Sequence, residues 1–110
     1  MTEVQTLADR KKARVEEIRA GFARLRKELA DFERSHRGKF WVHGLASTGK
    51  FHPASDIDII ADFDDAQISH ALDFVEKTCA RLGLKPDVQP KSWCSDAFIE
   101  RIYPKVLFLP

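Results

Sequence analysis

GLASTGKFHPASDID, residues 44–58, decides how this chain reads. A turn carrying Gly44 and Gly49 leads into a loop with Pro53, and two aspartates, Asp56 and Asp58, then open the apolar run IDIIADF. That run predicts a buried β-strand over residues 57–63, because hydrophobic strands covered by helices read as near-continuous apolar stretches. Side chains alternate faces along a strand, so Asp56 and Asp58 project the same way, about 7 Å apart. Neighbouring carboxylates repel each other unless something neutralises them. A hard divalent cation such as Mg²⁺, which takes oxygen ligands, is the natural partner.

Upstream of this stretch, residues 2–37 hold no proline and one glycine, Gly21. Val15, Ile18, Phe22, Leu25, Leu29 and Phe32 recur at steps of three and four, the stripe of an amphipathic helix. A helix of this length is about 45 Å long, longer than a body of this size is wide. Two uses follow: packing the stripe on the body, or overhanging it to meet a second copy or another protein. Gly38 is expected as the helix's C-terminal cap, and FWVH, residues 40–43, as a short strand.

Downstream, Asp64 or Asp65 is expected to cap a helix reaching Leu82, with Gly83 closing it. A third short strand is expected over residues 84–88 and a last helix over residues 95–103, stopped by Pro104. VLFL, residues 106–109, reads as a final extended segment. The order predicts an α/β (α+β) domain: a small mixed β-sheet flanked by helices, with a long N-terminal amphipathic helix. With 110 residues the chain is read as one domain, residues 1–37 the helix and residues 38–110 the body.

The composition, 44% apolar and 32% charged with net charge +1, is that of a globular protein and disfavours binding nucleic acid by charge alone. Charge is nonetheless uneven, a basic N-terminal segment preceding an acidic body. Cys79 and Cys94 lack metal-ligand spacing and read as free thiols. The charged N-terminus and the lack of a long apolar run point to a cytoplasmic protein with no membrane contact.

The central stretch resembles the minimal nucleotidyltransferases of the DNA polymerase β superfamily, whose signature is G-S-x10-D-x-D. Gly44 stands at the glycine, Leu45 at the serine, Gly49 at a second glycine, and Ser55, Asp56, Ile57 and Asp58 at the aspartate motif. Further on, Lys85, Pro86, Asp87 and Val88 resemble the segment bearing the family's third carboxylate, and Ile99, Glu100, Arg101 and Ile102 its following helix. The resemblance covers about residues 20–109. It implies a nucleotidyltransferase fold that binds ATP and transfers AMP to a hydroxyl. Asp56, Asp58 and Asp87 would be both catalytic residues and ligands of two Mg²⁺ ions. Gly44, Leu45, Ser47, Thr48, Gly49, Lys50 and Ser55 would bind the nucleotide, backbone N–H groups cradling its phosphates. It also implies a partner, as antitoxin-like members of this size pair with a HEPN-type toxin and modify it.

Leu45 departs from the signature: it cannot give the hydrogen bond that the family's serine gives a phosphate, a loss of about 1.5–3 kcal/mol. Ser47, Thr48 or Lys50 are the candidates to make it good. The alternative reading is a degenerate, non-catalytic module working through its N-terminal helix. Asp62, Asp64 and Asp65 read as solvated or capping residues, His43 as packed or surface, and Phe40 and Trp41 as core.

Overall fold

The helical stripe, the apolar strand and the turn between them come together in the computed structural model, which describes residues 6–109. The elements are α1 (Leu7–Ser35), β1 (Gly38–His43), a 3-10 turn (Gly44–Thr48), β2 (Asp56–Phe63), α2 (Ile68–Leu82) and β3 (Lys85–Pro90). A second 3-10 turn (Lys91–Trp93), α3 (Asp96–Ile102), a third 3-10 turn (Tyr103–Lys105) and β4 (Leu107–Phe108) follow. The strands make one sheet in the order β3-β2-β1-β4. It is mixed: β1 runs antiparallel to β2 and β4, whereas β2 and β3, joined through α2, are parallel. This is the α/β architecture expected from the sequence.

α1 starts at a capping box. Thr6 Oγ1 accepts from the Asp9 N–H at 3.1 Å, and the Asp9 carboxylate accepts from the Thr6 N–H at 3.2 Å, satisfying two donors that a helix start leaves orphaned. Residues 2–5, which the sequence also assigned to the helix, lie outside the described residues. Ile18, Phe22, Leu25, Leu29 and Phe32 are buried against Phe40 and Val42 of β1, Ile57 and Ile59 of β2, and Val75 of α2. Residues 6–13 are exposed, Leu7 at 65%. At about 1.5 Å per residue α1 runs roughly 44 Å, along a molecule 57 Å in its longest dimension. The helix therefore both packs and overhangs.

Several expected boundaries move, each for a local reason. α1 ends at Ser35, before residue 37, and Gly38 is not its cap: His36 takes that position with extended backbone, and Gly38 opens β1. Glycine is needed there because the Phe63 ring occupies the space of a side chain, 2.2 Å from where a Cβ would sit. α2 starts at Ile68, later than expected. The Asp64 carboxylate accepts from the Gln67 N–H at 3.1 Å, so it caps the turn leading into the helix. Gly83 closes α2 in the left-handed region, as the sequence suggested. β3 extends to Pro90 and carries two prolines, which an edge strand tolerates because one row of its N–H groups has no ladder partner. The last apolar segment is a strand, Trp41 pairing with Phe108 and Val42 with Leu107.

Candidate active site

Because β2 alternates, Ile57, Ile59 and Ala61 enter the core under α1 and α2 while Asp56 and Asp58 fall on the opposite face. Sheet register gives Asp58 its neighbours: His43 lies across from it on β1 and Asp87 on β3. Asp56 pairs with Lys85, two residues nearer the start of both strands. The structure thus brings Asp58 and Asp87 side by side, with Asp56 exposed at the strand's first position and Asp87 also exposed.

The electrostatics are those of crowded carboxyls. Burial raises the Asp58 pKa first, and the Asp87 and Asp56 charges and a hydrogen bond with Asp87 raise it further, while His43 opposes them. Burial lowers the His43 pKa, against the pull of Asp58 and Asp87. His43, which the sequence treated as packed or surface, is therefore the imidazole of this site. In the sequence His43 adjoins the signature, directly before Gly44, but its position there does not show which way the ring faces. Only its register against Asp58 does.

Gly44 carries the turn over Asp58. Its φ is +69°, which side chains disfavour, and an added Cβ would lie 2.2 Å from Asp58 Oδ2. The turn then closes on itself. Ser47 Oγ donates to Gly44 O and Thr48 Oγ1 to Leu45 O, both at 2.8 Å, while the Gly49 and Lys50 N–H groups donate to Ala46 O and Leu45 O at 3.3 Å. The hydroxyl protons of Ser47 and Thr48 are thus used inside the turn. Lys50 is exposed, and Leu45 is 46% exposed on the cleft wall. Ser55 is buried and closes the loop, its Oγ accepting from the His52 N–H at 2.8 Å. A cleft of about 480 Å³ is lined by His43, Gly44, Leu45, Thr48 and Asp58, with Arg101, Ile102 and Lys105 on its far side.

The donor set suits a hard divalent ion: all-oxygen, anionic and mutually repelling. Among the described residues no three His, Cys, Asp or Glu side chains already gather into a cage. Mg²⁺ usually takes one or two carboxylates and completes its shell with water and substrate phosphate. Asp58 and Asp87 are the neighbouring pair that could hold such an ion, with Asp56 two residues away on β2.

One part of α1 also reaches this site. Arg19 donates to Gly49 O at 3.1 Å and lies over the Phe51 ring, 5.5 Å from its centroid, and Phe51 packs on Phe22. The sequence does not single out Arg19, one of many cations in the basic N-terminal segment.

The family model described as a nucleotidyltransferase domain matches residues 23–104. The match takes in the turn, the three aspartates and the helix forming the far wall of the cleft. No curated protein matches the chain closely enough to count as a relative. Among the described residues no helix is long and apolar enough to cross a membrane. Three quarters of the chain follow the pattern of one family, and the chain belongs to it: it is a member of the nucleotidyltransferase domain family.

Proposed function

We propose that this chain transfers AMP from ATP to a hydroxyl on a partner macromolecule, using Mg²⁺ held at Asp56, Asp58 and Asp87. Membership of the family supports nucleotidyl transfer in general. The observation that carries the finer reading is Asp58, pressed between His43, Asp87 and the Gly44 backbone at the head of a cleft.

Bound there, the metal would supply charge neutralisation and a Lewis-acid contact to phosphoryl oxygens. The chain's own residues do the positioning. Asp58 and Asp87 would hold that ion where β2 and β3 lie side by side, and the reacting phosphoryl group would be placed against it. The glycine at position 44 leaves the Asp58 carboxylate uncovered by a side chain. The acceptor oxygen forms a bond to the α-phosphorus, the α–β anhydride bond breaks, and pyrophosphate leaves. Asp87, exposed beside Asp58, accepts the proton that the hydroxyl gives up. Catalysis of this kind is mostly orientation and charge stabilisation, which a small domain can provide. The acceptor we favour is a hydroxyl on a HEPN-type toxin, this chain being the antitoxin, and a cytoplasmic setting follows from that pairing.

A degenerate module acting through α1 is the second reading, and one observation favours it: Leu45 stands exposed where a hydroxyl donor belongs, and Ser47 and Thr48 spend theirs inside the turn. Titration calorimetry of ATP with Mg²⁺ separates the two. The transferase reading expects micromolar to sub-millimolar binding that vanishes in Asp56→Asn/Asp58→Asn while the circular dichroism melt is kept. Absence of binding to several millimolar in the unaltered chain overturns it.

A further inference from the structure

The near wall of the cleft is poor in groups that could hold a highly charged anion. Leu45 gives it an apolar side chain, and the turn uses the hydroxyl protons of Ser47 and Thr48 and the N–H groups of Gly49 and Lys50 for its own carbonyls. The far wall is different. There α3 and the 3-10 turn after it present Arg101 and Lys105 to the same cavity that Asp58, Gly44, Leu45 and Thr48 line.

Both cations are uncommitted. Among the described residues, the ion pairs of this protein involve neither of them. Arg101 makes a cation–π contact: its guanidinium carbon lies 5.3 Å from the Phe98 ring centroid, and that ring meets His43 edge-on at 5.7 Å. A guanidinium whose contact is with a ring still has its N–H fork for a bidentate oxyanion. Lys105 closes a turn that begins at Tyr103 and carries Pro104, and the Val106 N–H donates to Tyr103 O at 3.2 Å. The next residues are pinned as β4 against β1, so this wall is anchored to the sheet that carries Asp58.

A cleft of about 480 Å³ has the volume of a small-molecule site. The Asp58 carboxylate, with Asp87 beside it on β3, stands at one side and the unpaired Arg101 and Lys105 at the other. A ligand that satisfies both must be strongly anionic and bring a metal ion to the carboxylates. We infer that Arg101 and Lys105 form a polyphosphate-binding arm, which holds the β- and γ-phosphates of a nucleoside triphosphate from the α3 side of the cleft. The inference rests on the proposed nucleotide site and assigns its phosphate end to α3 in place of the turn.

Calorimetry with three probes tests it: ATP with Mg²⁺, AMP with Mg²⁺, and inorganic tripolyphosphate with and without Mg²⁺. Arg101→Gln and Lys105→Gln each weaken ATP and tripolyphosphate roughly tenfold, the scale of one hydrogen bond to a charged group. AMP, which lacks the outer phosphates, binds them as it binds the unaltered chain, and Arg101→Lys recovers part of the loss. Both residues are exposed, so their variants keep the melting temperature and a binding change is not an unfolding artefact. Equal affinity of the double variant and the unaltered chain for ATP and tripolyphosphate overturns the arm while leaving the nucleotide site standing. Metal-free tripolyphosphate binding that needs Arg101 and Lys105, in a chain that ignores ATP with Mg²⁺, leaves a bare polyanion site and overturns both the triphosphate-holding arm and the transferase reading. If the unaltered chain binds none of the probes, both are overturned.

Discussion

Along β2, Ile57, Ile59 and Ala61 lie under α1 and α2 with almost no exposure, while Asp56, Asp58 and Asp62 alternate with them on the other face. The second face is not uniformly open. Near β4, Trp41 is 6% exposed and Ile60 1%, the Tyr103 and Phe108 rings meeting Trp41 at 5.7 and 5.6 Å. Near the start of β2 it is acidic. The same strands thus give one face that stabilises the chain and another that stores repulsion. Crowded carboxyls cost stability, and a cation bound there, as proposed, would offset that cost.

The sharpest way to break that contrast is to damage each face separately. Leu25→Ala, at a fully buried α1 position, is expected to cost about 2–5 kcal/mol, the range for truncating a core leucine. Urea unfolding reads that loss directly. Asp58→Asn should do the reverse, keeping or raising the unfolding midpoint while nucleotide binding disappears. A clear loss of stability in Asp58→Asn would show that its carboxylate supports the fold, and the division between the faces would fail.

Arg19 is where the two faces communicate. It belongs to the helix of the buried face, yet its guanidinium holds the carbonyl of Gly49, at the end of the turn over Asp58. Arg19→Gln should loosen the turn without unfolding α1, since the side chain is half exposed. On the proposed transferase reading, an increase of roughly fivefold in KM for ATP is expected, about 1 kcal/mol for one hydrogen bond at a solvated site. A merely structural Arg19 would lower the melting temperature and leave KM alone. Partial recovery by Arg19→Lys would separate its charge from its forked geometry.

How much of this was legible in the sequence depends on how local the cause was. Asp56 and Asp58 could be placed on one face because strand alternation is a property of neighbours, and the α1 stripe because its period is. Gly83 obeyed the helix-end rule for the same reason. Gly38 imitated that rule, but what requires it is the ring of Phe63, met only once β1 and β2 pair. Arg19 on Gly49 and Arg101 lining the same cleft as Gly44 join segments far apart in the chain. No spacing encodes those contacts. Ser47 and Thr48 show the opposite limit: the sequence offers two hydroxyls, and only the turn geometry reveals where their protons go.

The smallest expected effect concerns Glu33, where the end of α1 meets the first strand of the sheet. Its carboxylate accepts from the Phe40 N–H at 2.6 Å. Burial raises its pKa, and it does so against that hydrogen bond and the attraction of Lys39. The folded chain therefore holds this proton more tightly than the unfolded chain does. Stability from this residue is fully present below the unfolded value and is lost as pH rises through the raised folded value. Glu33→Gln keeps an oxygen for the Phe40 N–H and removes the titration. Melting curves of the two proteins should then run closest in mild acid, with the variant gaining on the unaltered chain as pH climbs toward neutrality. A gap that stays constant with pH would mean that the Phe40 hydrogen bond fully compensates the buried charge, and that the core face of the sheet carries no electrostatic strain of its own.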